Sequence, residues 1–462
     1  MRDLRALGEQ GIKIRLPITG GKPNMNTSIL IQWTHRGLLA SSLLLLSGCF
    51  ADTQGNDAIP SPSASVSASA SPPASGTPQA TQPTEPPSSS GNPSAEESGK
   101  ETAIPSPVTT EAVLLATGDI MVHSPQLPAY YDAAADSYDF TPWFRKVKPL
   151  LSQGDWVIGN LETPVAGADL KFSGYPRFNA PTELTKALVD AGFGIVSTAN
   201  NHSLDRGFTG IQRTLNNVRD AGLIPVGTSV SNYDSLRRVI VDKNGIKLGF
   251  LSYTYGTNGI PIPEGKEYGI NLISLPKIQE DIRELKEAGA DSIVVSLHFG
   301  IEYQRMPNDE QKALARSVIE AGADIILGSH PHVIQPYETI EVDDPEADSG
   351  KRRGFVIYSL GNFISNQKDE WKDVGVILHL KLSKTVWPDG HSSTTWSDVE
   401  TTPTWVNQRV ANGLKRYTVL PLPQTLADAA GKEWTSAEYG KMRTYLNGIS
   451  LHLKRLSSQS AG

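Results

Sequence analysis

The sequence predicts an α/β domain built on a central sheet and preceded by a disordered stalk. Three observations carry that expectation. From Glu111 onward, short apolar runs alternate with stretches of helical spacing, the pattern of strands separated by helices. Residues 51–110 hold eleven of the chain's 32 prolines, abundant Ser, Ala and Thr, and no aromatic residue. Such a composition cannot bury enough apolar surface to offset chain entropy. The low hydrophobic content of the 462-residue chain, 38%, is concentrated in that stretch, so the remainder has the means to bury a full core.

In chain order, residues 1–49 read as a signal segment. Arg36 precedes the short apolar run Gly37–Leu46, which ends in Ser47-Gly48-Cys49. A basic residue, a brief apolar core and then small residues form a secretory pattern. The run is about half the ~20 residues that a spanning helix needs. Leu46-Ser47-Gly48-Cys49 resembles the bacterial lipoprotein box, which implies lipidation of Cys49 and attachment to the cell membrane on its extracytoplasmic face. Residues 1–24 lack signal character, and Met25 would give a more ordinary signal length than Met1. Residues 50–110 read as a disordered linker that reaches roughly 40–50 Å as a flexible coil. Cys49 is the one cysteine in the chain, which excludes an intrachain disulfide framework or a Cys-based zinc site.

The folded part reads as follows. Ala112–Thr117 is a short continuous apolar run, typical of a strand buried on both faces. Thr141-Pro142 makes an N-cap and N1 pair for a helix through Leu151. Trp156–Gly159 and Gly194–Ala199 are further buried strands. Thr182–Ala191 and Gly210–Ala221 have helical spacing and stop at Gly192 and Gly222. Val239–Val241 and Lys247–Ser252 flank Asn244-Gly245, a hairpin signal. Helices are predicted over Pro276–Ala288 and Asp309–Ala321, with strands at Ser292–Leu297, Asp324–Leu327, Phe355–Leu360 and Val374–Leu380. Leu426–Leu453 reads as helical, so the chain divides into a signal segment (1–49), a linker (50–110), a main domain (111–423) and a helical extension (424–462).

Polar residues stand where these strands stop. Asp119 follows the first; Asn160 and Glu162 follow the second; Asn201 and His202 follow the third. His298 ends Ser292–Leu297, and His330-Pro331-His332 follows Asp324–Leu327. In α/β folds, ligands bind beyond the carboxyl ends of strands. Taken singly, Gly118-Asp119 is a turn, Asn200-Asn201-His202 a helix cap, and His298 a satisfied buried histidine. Together they bring imidazoles, carboxylates and an amide oxygen to five strand ends, a set that suits a divalent transition metal better than calcium.

These segments resemble the poly-gamma-glutamate capsule synthesis protein CapA family. The resemblance runs through Ala116-Thr117-Gly118-Asp119-Ile120-Met121, Gly159-Asn160-Leu161-Glu162-Thr163-Pro164 and Ala199-Asn200-Asn201-His202-Ser203-Leu204-Asp205-Arg206-Gly207. It continues in His298-Phe299-Gly300-Ile301-Glu302-Tyr303, Gly328-Ser329-His330-Pro331-His332-Val333 and Tyr358-Ser359-Leu360-Gly361-Asn362-Phe363. It implies a four-layer α/β/β/α sandwich of the calcineurin-like metallophosphoesterase type. It further implies that Asp119, Glu162, Asn201, His298, His330 and His332 hold one or two divalent ions, Mn, Zn or Fe, and that His202 protonates a leaving group. The phosphoesterases use Asp-x-His where this chain has Asp119-Ile120-Met121. A thioether is a poor ligand for a hard ion, so the Asp119–His332 position should be the weaker, unless His123 reaches it. Asn160, Arg206 and Glu302 stand beside these motifs. Glu302 is a candidate to orient a histidine and Arg206 to clamp an anion; a surface ion pair is the alternative for both.

A net charge of −7, from 42 basic and 49 acidic residues, argues against nucleic acid as a partner. No Gly-x-x-x-x-Gly-Lys-Ser/Thr loop is present, which speaks against ATP-driven ligation. Three functions stay open: a membrane-anchored component of poly-gamma-glutamate synthesis or export, in contact with the anionic polymer or its membrane-bound synthase subunits; a metal-dependent hydrolase of a phosphoester or of the polymer amide; and a non-catalytic polymer-binding scaffold.

Overall fold

The computed structural model describes residues 106–345, 349–428 and 433–457; the signal segment, Cys49 and the linker up to residue 105 lie outside them. β1 (Val108–Ile120) begins inside the stretch read as linker. Two short helices, α1 (Thr141–Phe144) and α2 (Lys148–Leu151), lead to β2 (Trp156–Leu161), α3 (Glu183–Ala191), β3 (Ile195–Ser197), α4 (Gly207–Asp220) and β4 (Ile224–Val226). The hairpin of β5 (Val239–Lys243) and β6 (Ile246–Thr254) precedes α5 (Leu275–Glu287), β7 (Ser292–His298), α6 (Asp309–Glu320) and β8 (Ile325–Ser329). β9 (Ile334–Asp343), β10 (Lys351–Leu360), β11 (Asn362–Ile364), β12 (Val374–Val386), β13 (Ser392–Ala411) and β14 (Leu414–Pro421) follow, then α7 (Leu422–Ala427) and α8 (Ser436–Leu453).

These strands make two sheets. One runs β14-β13-β12-β1-β2-β3-β4, with β11 beside β1; the other runs β9-β10-β8-β7-β6-β5. Side chains alternate across each strand, and that alternation builds the layers. Leu114, Trp156 and Ile195 of the first sheet face Phe250, Val294, Ile325 and Phe355 of the second. The opposite face of the first sheet, through Leu115, Val157 and Val196, packs on Trp143, Phe144, Leu184 and Leu188 of α1 and α3. The opposite face of the second, through Ile293, Val295 and Ile326, packs on Ile278, Ile282, Val318 and Ile319 of α5 and α6. The result is a four-layer α/β/β/α sandwich.

Local chemistry explains where the reading by pattern differs from the structure. The helix predicted from Thr141 to Leu151 is two helices, because Pro149 lacks the N–H that would continue the ladder. Phe140, not Thr141, is the N-cap. The helix predicted over Leu426–Leu453 is also two, the second started by Thr435, whose hydroxyl and Glu438 form a capping box. β4, β9, β11, β13 and β14 escaped the pattern reading, although Asn412-Gly413, with φ of 53° and 74° between β13 and β14, carries the same turn signal as Asn244-Gly245.

The segment read as an extension is part of the core: Met442, Tyr445, Ile449 and Leu453 of α8 join the inter-sheet cluster. Buried Asp373 fastens it, accepting from Tyr445 Oη (2.7 Å), Lys441 Nζ (2.8 Å) and Trp405 Nε1 (3.0 Å). Among the described residues, no helix is long and apolar enough to cross a membrane.

Candidate metal centre

Parallel strands of both sheets end at one pole, and their last residues form a single buried pocket. β1 delivers Asp119 there. Its neighbour Gly118 is required because a Cβ would lie 1.8 Å from the Gly361 carbonyl oxygen, where β11 crosses. The same carbonyl accepts the Asp119 N–H at 2.9 Å. β2 delivers Asn160 and Glu162, the turn after β3 Asn201 and His202, β7 His298, and the turn after β8 His330 and His332. His330 and His332 both hold positive φ, 98° and 56°, a conformation costly for side chains with a Cβ and found where structure is over-determined around a site.

The distances are short. His332 Nδ1 lies 3.0 Å from Asp119 Oδ2, and its Nε2 3.7 Å from Glu162 Oε1. His298 Nε2 lies 3.0 Å from Asn201 Oδ1 and 3.5 Å from Glu162 Oε1. Two ligands bound at ~2.1 Å and at right angles on one ion are about 3 Å apart, so these pairs have ligand spacing. Three sets have ligand atoms within 4.8 Å of one another: Glu162–His298–His330, Asp119–Glu162–His332 and Glu302–His330–His332. Glu162 belongs to two of them, the place of a bridging carboxylate. Asn160 ties the carboxylates together, its Nδ2 donating to Asp119 Oδ1 (2.8 Å) and Glu162 Oε2 (3.2 Å).

Electrostatics agree with a cation at this point. Complete burial, and then the charge of Asp119, raise the Glu162 carboxyl well above its ordinary range. Burial, and then neighbouring imidazoles, hold His298 well below the usual histidine value and His330 at about 4. Neutral imidazoles are the ligand form. Glu162 Oε1 and His330 Nδ1 are buried without a hydrogen-bond partner among the described residues, which is costly unless something satisfies them. A divalent ion fits both orphans and the mixed N/O donor set.

Around the ligand set, His202 is paired with a residue the sequence reading did not single out. Its Nδ1 lies 2.7 Å from Asp205 Oδ2, which also accepts the Phe178 N–H at 2.7 Å. The i,i+3 spacing in the Asn-Asn-His-Ser-Leu-Asp run was the available signal. Phe178 stands edge-on between the rings of His202 (4.6 Å) and His123 (5.1 Å). His123 stays outside the three ligand sets. Its Nδ1 accepts the Asn366 N–H at 3.3 Å, burial holds it at about 4, and the neutral ring therefore carries its proton on Nε2, as a donor. Among the described residues Arg206 forms no ion pair: its guanidinium donates to the carbonyls of Lys171 and Arg177 and to the Ser173 hydroxyl, bracing that loop. Glu302 is exposed and within ligand range of His330 and His332, rather than behind a histidine. Tyr255 and Tyr303, also unread in the sequence, wall the mouth against His330 (4.6 Å) and His332 (6.2 Å).

Comparison with known proteins places this chain in a family. The profile described as bacterial capsule synthesis protein PGA_cap matches residues 113–367, more than half of the chain. A capsule biosynthesis protein CapA of Bacillus anthracis is 34% identical over 233 residues, covering 48% of this chain and 54% of that protein. A PGA biosynthesis protein CapA of Bacillus subtilis is 33% identical over 264 residues, covering 54% of this chain and 62% of that protein. The chain thus matches less than two thirds of the length of either relative. Among solved structures, the calcineurin-like phosphoesterase YfkN from Bacillus subtilis aligns with a TM-score of 0.37 and 17% identity, over 67% of this chain and 94% of that one. The chain belongs to the bacterial capsule synthesis protein family PGA_cap.

Proposed function

We propose that this protein is a membrane-anchored, extracytoplasmic component of poly-gamma-glutamate synthesis or export, and that its pocket is a metal-dependent hydrolytic centre. Its substrate is a phosphoester or an amide of the anionic polymer. The observation that carries the reading is the convergence of Asp119, Glu162, Asn201, His298, His330 and His332 in one buried pocket beside the His202–Asp205 pair. The polymer is argued from the name of the Bacillus subtilis relative, and the anchor from the apolar run that ends at Cys49.

Asn201, His298, His330 and Glu162 would hold one ion; Asp119, His332 and the shared Glu162 would hold a second. Mn, Zn and Fe all suit this donor set. A bound ion of this kind acidifies coordinated water and offsets charge developing on the substrate. Asp205 fixes the His202 ring through Nδ1, which leaves Nε2 as the atom that delivers a proton to the leaving group. Burial keeps the His298 and His330 imidazoles neutral, the form in which they bind an ion.

Elemental analysis of the purified protein, followed by assays on phosphoesters and on poly-gamma-glutamate, tests this reading. His202→Ala should keep metal and lose turnover, whereas His330→Ala should lose both. Absence of metal from the unmodified protein after supplementation with Mn, Zn and Fe would sink the hydrolytic centre. For the anchor, Cys49→Ala should move the protein to the soluble fraction; continued membrane association without detergent would count against lipidation.

A further inference from the structure

The Asp119 position is short of one ligand, and the structure offers a specific replacement. Met121, which stands where an imidazole would complete an Asp-x-His pair, is buried, with its N–H donated to the Ile364 carbonyl at 2.9 Å. Among the described acidic and imidazole side chains, Asp119, Glu162 and His332 form the set within ligand range that includes Asp119. Three protein ligands leave a divalent transition ion open to exchange with solvent.

Glu302 approaches from the solvent side, with a carboxylate oxygen within 4.8 Å of ring nitrogens of both His330 and His332. It does not sit on a loose loop. The Tyr303 N–H donates to the Pro331 carbonyl at 2.7 Å, and the Phe299 N–H to the Ser329 carbonyl at 3.1 Å, locking this loop to the turn that carries the two histidines. Gly300 has φ 98° and packs against the Gln311 side chain. Gln311 Nε2 donates to Gln335 Oε1 (2.9 Å), and Gln335 Nε2 donates to the Gln304 carbonyl (2.8 Å). Behind it, the Arg305 guanidinium lies on the Trp371 ring, 4.2 Å from its centroid. His452 Nε2, on α8, donates to the carbonyls of Arg305 (2.8 Å) and Ile334 (3.1 Å). One imidazole on α8 thus ties the Glu302 loop to the strand that leaves His332.

We propose that Glu302 is a metal ligand, completing the Asp119–Glu162–His332 position in place of the imidazole that Met121 does not supply. The exposed stem of Glu302 lets its carboxylate advance onto an ion already held by His332. A carboxylate in that place adds a negative charge that a neutral imidazole would not, which favours Mn²⁺ or Fe²⁺, whose preference for oxygen donors is stronger than that of Zn²⁺. This inference rests on the metal-centre reading above and gives it a substrate-side wall that is itself part of the ion site.

The test is Mn²⁺ binding to the full chain after chelator stripping, followed by calorimetry and by the spin resonance signal of free Mn²⁺, neither of which depends on turnover. The unmodified protein should bind two ions. Glu302→Gln should bind the first ion within threefold of the original affinity and the second at least tenfold more weakly. Glu302→Asp, which keeps the charge, should recover part of that loss. Because Glu302 is exposed, the metal-free melting temperatures should agree, which separates loss of a ligand from loss of fold. Two ions bound by Glu302→Gln with unchanged affinities would overturn the assignment of Glu302 while leaving the metal centre standing. No Mn²⁺ bound by the unmodified protein would overturn both.

Discussion

Replacing Glu162 by Gln should stabilise the metal-free protein and remove most of its response to metal, two effects of opposite sign from one change. Carboxylate oxygens of Asp119 and Glu162 lie within 4.8 Å of each other. Two like charges at that separation repel by about 3.5 kcal/mol at an effective dielectric of ~20. The amide of Asn160, shared between them, offsets roughly 1 kcal/mol. Glutamine keeps the shape and loses the charge, so the metal-free variant should gain on the order of 2 kcal/mol at pH 8. The raised Glu162 carboxyl takes up its proton in the folded chain while an unfolded glutamate is still ionised. The metal-free protein therefore gains stability as pH falls through that raised value, and the advantage of the variant shrinks with it. With an ion at a hundredfold its dissociation constant, the unmodified protein should gain about 2.7 kcal/mol, and Glu162→Gln well under half of that. Urea unfolding with chelator and with Mn²⁺, at pH 8 and pH 5, measures all four states. Metal-free Glu162→Gln less stable than the parent, or showing the full metal response, would refute the reasoning.

Other consequences follow from single contacts. Asp205→Asn should leave metal stoichiometry intact and slow turnover about tenfold or more, because a 2.7 Å charge-assisted bond to His202 becomes a neutral one worth ~1–2 kcal/mol less; an unchanged rate in single-turnover assays would remove Asp205 from the mechanism. Asp373→Ala strands Tyr445, Trp405 and Lys441 without their acceptor and should cost at least ~3 kcal/mol in urea unfolding, with Asp373→Asn recovering part; a loss under ~1 kcal/mol would show that α8 docks by apolar contact alone. His452 is held at about 4, by burial and then by repulsion from Arg305. Between pH ~6.5 and 4 the unfolded chain therefore binds a proton that the folded chain refuses, and stability falls as pH falls. His452→Gln, which retains a donor, should flatten that slope in a melting series from pH 7 to 4.5, and an unaltered slope would point to other groups.

Much of this molecule is legible in residue order. Buried parallel strands announce themselves as runs such as Ala-Val-Leu-Leu-Ala, because a strand covered on both faces needs apolar side chains at every position. Metal-type residues at the carboxyl ends of those runs mark the pocket, because parallel strands feeding helices all release their chain at the same pole. β13 stayed hidden because its first half is a Ser/Thr-rich strand of mixed exposure, with no apolar run to detect. The Thr435 and Glu438 capping box marks the start of the last helix, a boundary that apolar spacing alone does not carry.

The sequence by itself determined the alternating α/β architecture, the set of imidazoles, carboxylates and amide available at the strand ends, and the departure at Met121. Each of these is local, written in a few consecutive residues whose chemistry does not depend on neighbours elsewhere. Only the tertiary structure decided what those residues face. It made Asp205 the partner of His202, turned Arg206 inward onto backbone carbonyls, left the His123 ring as a donor, and brought Glu302 beside His330 and His332. It also carried α8 into the inter-sheet core, where Asp373 and His452 fasten it. Hydrogen bonds and ion ligation act over about 3 Å between atoms up to a few hundred residues apart in the chain, and residue order holds no record of that distance until the sheets have packed.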